Sequence, residues 1–305
     1  MSPATPLSPA ETLAHNTRLG IMAMIGMTMV FAVQDGLSRH LAEAYNVIFV
    51  VMLRYWFFAA FVVALAARRA GGLRAAARSH QPWLQAFRGL LLAAEVCVMI
   101  AGFVLLGLVQ IHAVFAVYPL MIAALSGPVL GERVGWRRWL AILAGLVGVL
   151  IILAPGLRVF TPTALIPFLA ATMFALYGLL TRYVSRTDSA ATSLFWTGTT
   201  GAAALTLAAP FVWEPMSPTD WVIMGTLCIT GVLGHYLLIK AYELAEASAV
   251  QPFAYLQLVF ASAVGVIFFG DVLAPNVALG AAVVVSAGLF ALWREQRAAR
   301  RRRAG

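Results

Sequence analysis

Residues 31–40 read FAVQDGLSRH, directly after the almost wholly apolar LGIMAMIGMTMV, so Gln34 and Asp35 sit inside an apolar run. Three more ionisable groups are placed alike: Arg54 in FVVMLRYWFF, Glu95 in LLLAAEVCVMIAGF and His235 in GVLGHYLLIK. Charged groups within such runs are costly, face an interior or a watery cavity, and mark paths for substrates and ions. Met24, Thr28, Phe31, Gln34 or Asp35, and Ser38 share one face at helical spacing. Asp35 lies about one turn from the outer end of its run. It is either partly hydrated there or neutralised by a neighbour, or it has a direct role with a substrate or proton. Arg54 is expected to pair with Asp35 or Glu95, its guanidinium offering five donors in a fixed fork. The alternative is capture of a substrate carboxylate. Glu95 carries a proton if unpaired and is structural if paired with Arg54. His235 is either a titrating group or a hydrogen-bonded interior residue.

Two proline-bearing stretches supply candidate walls. His112, Phe115, Tyr118 and Pro119 lie in one, and Gln251, Pro252, Tyr255 and Gln257 in the other. Proline removes a backbone donor and frees carbonyls that line cavities. Pro119 and Pro252 are therefore expected helix breaks. The expected cavity residues are Gln34, Asp35, Arg54, Glu95, Met99, Tyr118, Tyr177, His235, Tyr255 and Gln257, with Glu95 and His235 the candidates for proton coupling.

The elements that must position these residues are membrane helices. The chain is 62% hydrophobic and 11% charged, with a mean hydropathy of +0.89, too few charges to cover a soluble domain. Apolar runs predict ten spans at about 19–38, 46–67, 83–106, 110–130, 136–154, 162–182, 190–211, 219–241, 248–269 and 275–293. Cys97 and Cys228 both fall in apolar runs, so neither a disulfide framework nor a metal cluster is expected. The charge of +9 comes from 20 Arg and one Lys. Sorted by loop parity, 18 of these cations fall on one side, Arg88 among them, and only Arg39 and Arg158 on the other, where Arg39 reads as an outer-surface charge with no special role. The positive-inside rule then places both termini in the cytoplasm. The tail REQRAARRRRAG reads as a topology anchor in contact with anionic lipid rather than as a nucleic-acid site.

The sequence also repeats. FAVQDGLSRH at 31–40 matches FALYGLLTRY at 174–183, Gly131–Glu132 matches Gly270–Asp271, and Trp83 and Trp221 open the third helix of each half. With five helices per half, the second copy enters the membrane from the opposite face. Inverted repeats are a transporter device that places a site at the interface of the halves. The expected fold is all-α and polytopic: ten transmembrane helices as two inverted five-helix repeats. Its parts are an N-terminal tail at 1–16, repeats at 17–155 and 161–294, and a basic C-terminal tail at 295–305. The Gly-, Ala- and Ser-rich WLAILAGLVGVLII and ALGAAVVVSAGLFALW are expected to be scaffold or a dimer surface.

AVFAVYPLMIAALSGPVLGE (113–132) and YLQLVFASAVGVIFFGD (255–271) resemble the paired EamA-type signatures of the drug/metabolite transporter superfamily. The second copy has Asp271 for Glu and Leu258 where the first has Pro119. In overall likeness the chain resembles bacterial YddG-like amino-acid exporters. That resemblance implies an inner-membrane secondary transporter, monomeric or homodimeric, that uses alternating access, exports small metabolites, foremost amino acids, and needs no cofactor. Lipophilic or cationic drug efflux, or transport of another small metabolite, is the alternative. Protons are the candidate coupling ion. An enzyme is not expected, since H-E-x-x-H, G-x-S-x-G and P-loop motifs are missing.

Overall fold

The computed structural model describes residues 9–69, 71–131, 136–153 and 162–304. Among them every regular element is an α-helix, as expected where no water reaches the backbone and each N–H must be satisfied within its own segment. The helices are α1 (Pro9–Ala44), α2 (Val47–Ala67), α3 (Gly72–Ala77), α4 (Pro82–Phe115), α5 (Tyr118–Leu130), α6 (Trp136–Leu153), α7 (Pro162–Val184), α8 (Ala190–Thr206), α9 (Ala209–Val212), α10 (Pro218–Leu244), α11 (Ala247–Ala254), α12 (Leu256–Phe269) and α13 (Pro275–Ala304). Among the described residues, five helices are long and apolar enough to cross a membrane, and shorter apolar helices complete the set. Glu132 and Arg158, two residues of the sequence argument, lie outside the described residues.

Local chemistry explains the ends. Asn46, Ser189 and Ser217 cap α2, α8 and α10, their side chains accepting from the N–H of Ile48, Thr192 and Asp220. Gly131 and Gly270 close α5 and α12 with φ of 73° and 68°, a left-handed conformation that suits glycine. The repeated glycine of the two signatures is thus a helix stop in both copies.

Several predicted boundaries differ, two of them with consequences for the interior. α1 continues nine residues beyond Asp35, to Ala44, because Leu41 is buried and Arg39 finds acidic partners. Asp35 is therefore more than two turns inside the helix rather than one. The third and fourth predicted spans are joined without a loop: α4 holds both the third and the start of the fourth, hinged at Gly107 (φ 81°, ψ 164°). The fourth span breaks at Ala116–Val117, just before Pro119, which occupies the first turn of α5. The ninth breaks at Tyr255, between α11 and α12. Pro252 lies within α11, and its side chain is outside the described residues.

The helices pack in a pattern that survives exchange of the halves. α1 lies on α10 as α7 lies on α4, and α1 lies on α12 as α7 lies on α5, while α2 meets α8 and α6 meets α13. The α6–α13 contact is close enough to demand glycine on both sides. A Cβ on Gly148 would come within 2.8 Å of the Gly280 carbonyl, and one on Gly280 within 2.5 Å of the Gly148 carbonyl. Gly148 and Gly280 are thus spent on this helix contact, as small residues allow in membranes. Gly280→Val should force the helices apart at a cost of about 1–3 kcal/mol. It should lower the apparent melting temperature and the monodisperse yield in detergent. Gly225→Ala, where an added Cβ meets nothing within 4 Å, should change neither.

Candidate functional site

α1, α2, α4, α5, α7, α10 and α12, with Tyr255 at the α11–α12 break, bring the singled-out residues together in the interior. Gln34, Asp35, Arg54, Glu95, Met99, Tyr118, Tyr177, His235, Tyr255 and Gln257 are all buried. So are Met24, Thr28, Phe31 and Ser38 on the inward face of α1.

The pairing differs from expectation. Arg54 makes no ion pair with Asp35 or Glu95 among the described residues; its Nη2 donates to His235 Nε2 at 3.2 Å. A guanidinium only donates, so Nε2 must accept and the His235 proton sits on Nδ1, a buried atom with no described partner. The Nε2 lone pair of His235 is thus engaged by Arg54. Arg54 fits because Gly231 stands beside it, where a Cβ would come within 2.8 Å of Nε. Asp35 instead meets His112 Nε2 at 3.0 Å and accepts from Gln257 Nε2 at 3.3 Å. Glu95, 3% exposed, has no hydrogen bond among the described residues.

Aromatic rings link these groups into a continuous belt. Phe103 stacks on His112, with centroids 5.4 Å apart, and His112 meets Phe115 edge-on. Phe115 and Tyr118 both pack on Phe174, which leads to Tyr177 and then His235. His235 is flanked by Phe31 and Phe58. Along this interior lie buried polar atoms without a partner among the described residues: Gln34 Oε1, Ser38 Oγ, Tyr55 Oη, Tyr118 Oη, Tyr255 Oη and Gln257 Oε1. Such atoms are costly and uncommon in native interiors. Tyr255 faces the scaffold, its ring packed over Gly288 of α13. A cavity of about 10 Å³, lined in part by His112, Tyr118, Tyr255 and Gln257, lies between the two helix breaks.

Arg88 is a correction. Counted by parity among the cytoplasmic loop charges, it is fully buried. It donates to Gln85 Oε1 (2.9 and 3.1 Å), Tyr177 Oη (3.1 Å), Thr181 Oγ1 (3.1 Å) and the Ser193 carbonyl (2.6 Å). Gln85 passes the interaction on, its Nε2 donating to Asp188 at 2.9 Å. Asp188 also accepts from Ser79 and His80. Arg54 is therefore not the only deep cation. The signal was available: Gln85, Arg88, Leu92, Glu95 and Met99 are spaced along one helical face, and all are buried. Arg39, read as a plain surface charge, donates to Asp271 at 2.7 Å and to Glu43 at 2.8 Å. Asp271 in turn accepts from the Leu108 and Val109 N–H at 2.7 and 3.2 Å. It caps the helix restarted after Gly107 and ties it to α1. A Cβ on Gly107 would come within 2.9 Å of that carboxylate.

These observations define a polytopic helical membrane protein with a closed aromatic and polar centre between two matching halves. The chain belongs to the EamA-like transporter family, whose model matches residues 18–154 and 161–293. It is thus a member of the drug/metabolite transporter superfamily and a transporter of small metabolites, not an enzyme. A riboflavin transporter of Rhizobium johnstonii is 34% identical over 232 residues, 74% of this chain and 76% of the relative. An S-adenosylmethionine uptake transporter of Rickettsia prowazekii is 24% identical over 91% of this chain and 94% of the relative. A riboflavin transporter of Vibrio cholerae is 27% identical over 96% and 99%. A solved crystal structure covers 93% of this chain and 98% of its own at 19% identity with a TM-score of 0.64, a likeness of fold alone.

The Asp188 cluster lies in the α7–α8 connection, outside the spans. Burial alone would raise the Asp188 pKa, but hydrogen bonds from Ser79, Gln85 and His80 outweigh it and hold the carboxyl below its ordinary value. A depressed folded pKa contributes stability above the unfolded value of about 3.9, which is lost as pH falls through the folded value. Asp188→Asn should therefore destabilise the protein by about 2 kcal/mol at neutral pH. In thermal melts the gap to wild type should hold down to about pH 4 and close below it.

Proposed function

We propose that this chain is a secondary transporter of a bacterial inner membrane that takes up a flat heteroaromatic metabolite, of which riboflavin is the test case. The observation that carries this reading is the aromatic belt edged by unpartnered buried hydrogen-bonding atoms. Ring faces stack on a planar heterocycle, while Gln34, Tyr55, Tyr118 and Gln257 meet its polar edge. The substrates named for the relatives, riboflavin and S-adenosylmethionine, both join a flat heterocycle to a flexible polar chain. The proposed units are the repeats at 17–155 and 161–294 with tails at 1–16 and 295–305. The halves insert with opposite topology and alternate in exposing the centre. Both termini lie in the cytoplasm: with Arg88 taken out of the loop set, the cation asymmetry is still 17 against 2.

Glu95 favours a second reading, a zwitterionic substrate. Its carboxylate has no described hydrogen bond, and its charge and that of Arg54 act on one another. An ammonium at Glu95 and a carboxylate at Arg54 would suit S-adenosylmethionine or a free amino acid, the latter in export as the YddG-like resemblance implies.

Purified protein in liposomes without nucleotide separates these readings. Riboflavin uptake above protein-free vesicles, halved or worse in Gln34→Ala and little changed in Glu95→Gln, is the expected result. Transport confined to S-adenosylmethionine or amino acids and abolished by Glu95→Gln would replace it with the second reading.

A further inference from the structure

The Asp35–His112 contact holds a proton that hydrogen-bond accounting makes explicit. His112 Nδ1 lies 2.9 Å from the Leu108 carbonyl, which can only accept, so Nδ1 carries hydrogen. The other ring nitrogen, Nε2, lies 3.0 Å from Asp35 Oδ2. With Nδ1 already protonated, a neutral ring presents a lone pair at Nε2, and an ionised carboxylate presents lone pairs too. Two acceptors do not attract at 3.0 Å, so one proton lies between them. It belongs to an imidazolium beside a carboxylate or to a carboxylic acid beside a neutral ring. Gln257 donates to the same Asp35 oxygen, satisfying it further without supplying that proton.

We propose that Asp35 and His112 form the proton-binding site of the transport cycle, loaded in this closed state. The inference rests on the transporter reading above. Three features suit the pair to the task. It lies in the closed interior, with Asp35 6% and His112 1% exposed, so its proton exchanges only when one side opens. It lies in the first half and touches the second through Gln257, which donates to Asp35. His112 and Gln257 also line the cavity between the helix breaks of both halves, where segments able to rearrange meet. Loss of the proton would leave two acceptors facing each other between α1 and α4, beside the Gln257 contact, and push those helices apart, coupling protonation to opening.

The charged and titratable groups around the pair are few. Arg54 on α2 and Glu95 on α4 act on Asp35 electrostatically. His235 on α10 is bonded to Arg54, and Arg39 and Asp271 are bonded to each other at the outer end. Tyr177 on α7 is engaged by Arg88, and the second half adds Tyr255 and Gln257. Of these, His235 has its Nε2 lone pair occupied by Arg54. Glu95, the other expected proton carrier, lacks a described donor or acceptor through which to share a proton.

Two measurements on the full-length protein test this. The first uses no substrate: 15N spectra of histidine-labelled protein at neutral pH, with His112 assigned by its loss in His112→Gln, and infrared difference spectra against Asp35→Asn. Expected is either a doubly protonated His112 ring or a protonated Asp35 carboxyl, each lost or altered in Asp35→Asn. A neutral His112 beside an ionised Asp35 overturns the site. The second is riboflavin flux in liposomes. An imposed pH gradient should accelerate wild-type uptake several-fold, and Asp35→Asn and His112→Gln should lose that acceleration, read as the ratio of each variant's uptake with and without the gradient. Wild-type riboflavin uptake indifferent to the gradient overturns coupling and leaves the substrate reading intact. Protein that moves no riboflavin defeats the substrate reading instead, and the spectra then decide the proton site.

Discussion

A guanidinium group cannot be left bare in a hydrocarbon-bound interior, and among the described residues this bundle buries two, Arg54 and Arg88. Arg88 is met by five hydrogen bonds to four residues from three helices, Arg54 by an imidazole nitrogen. Much of the polar chemistry of the interior follows from these two demands. Gln85 is turned so that its oxygen serves Arg88 and its nitrogen serves Asp188, which spreads one cation's field to a carboxylate at the membrane edge. His235 is fixed in one tautomer because Arg54 needs an acceptor. The carboxylates are left to other partners, Asp35 to His112 and Glu95 to none described.

The division of labour among helices follows the same logic. α6 and α13 carry no charge in their middles and press together backbone to backbone at Gly148 and Gly280, a close approach that dispersion can sustain. α1, α4, α7 and α10 carry the polar groups and cross between the halves. A rigid apolar flank and a polar seam are thus segregated. A transporter needs that distinction, since the seam must have more than one stable arrangement while the flank holds the halves in register.

The ten segments, the burial of the polar residues within them and the correspondence of the halves could be read from the sequence, because hydropathy and periodicity are local properties. Partnership could not. Asp35 and Arg54 looked like natural mates by charge, yet each found a histidine, because helix rotation sets which groups meet and one sequence does not report rotation. Arg88 was misread for a different reason: it lies near a helix end, where parity counting assigns charges to loops. Its spacing with Gln85 and Glu95 held the correction. Arg39 was underestimated because its partner, Asp271, is more than two hundred residues away.

That same distance has a consequence for biogenesis. The helix restarted after Gly107 begins with two N–H groups that are satisfied by Asp271, a residue near the far end of the chain. While the ribosome is still making the second half, this start stays uncapped and α1 lacks the partner of Arg39. The first half can therefore form early but completes this edge only when the last quarter of the chain arrives. A chain stopped before Asp271 lacks the acceptor for both of these N–H groups and leaves that helix start open.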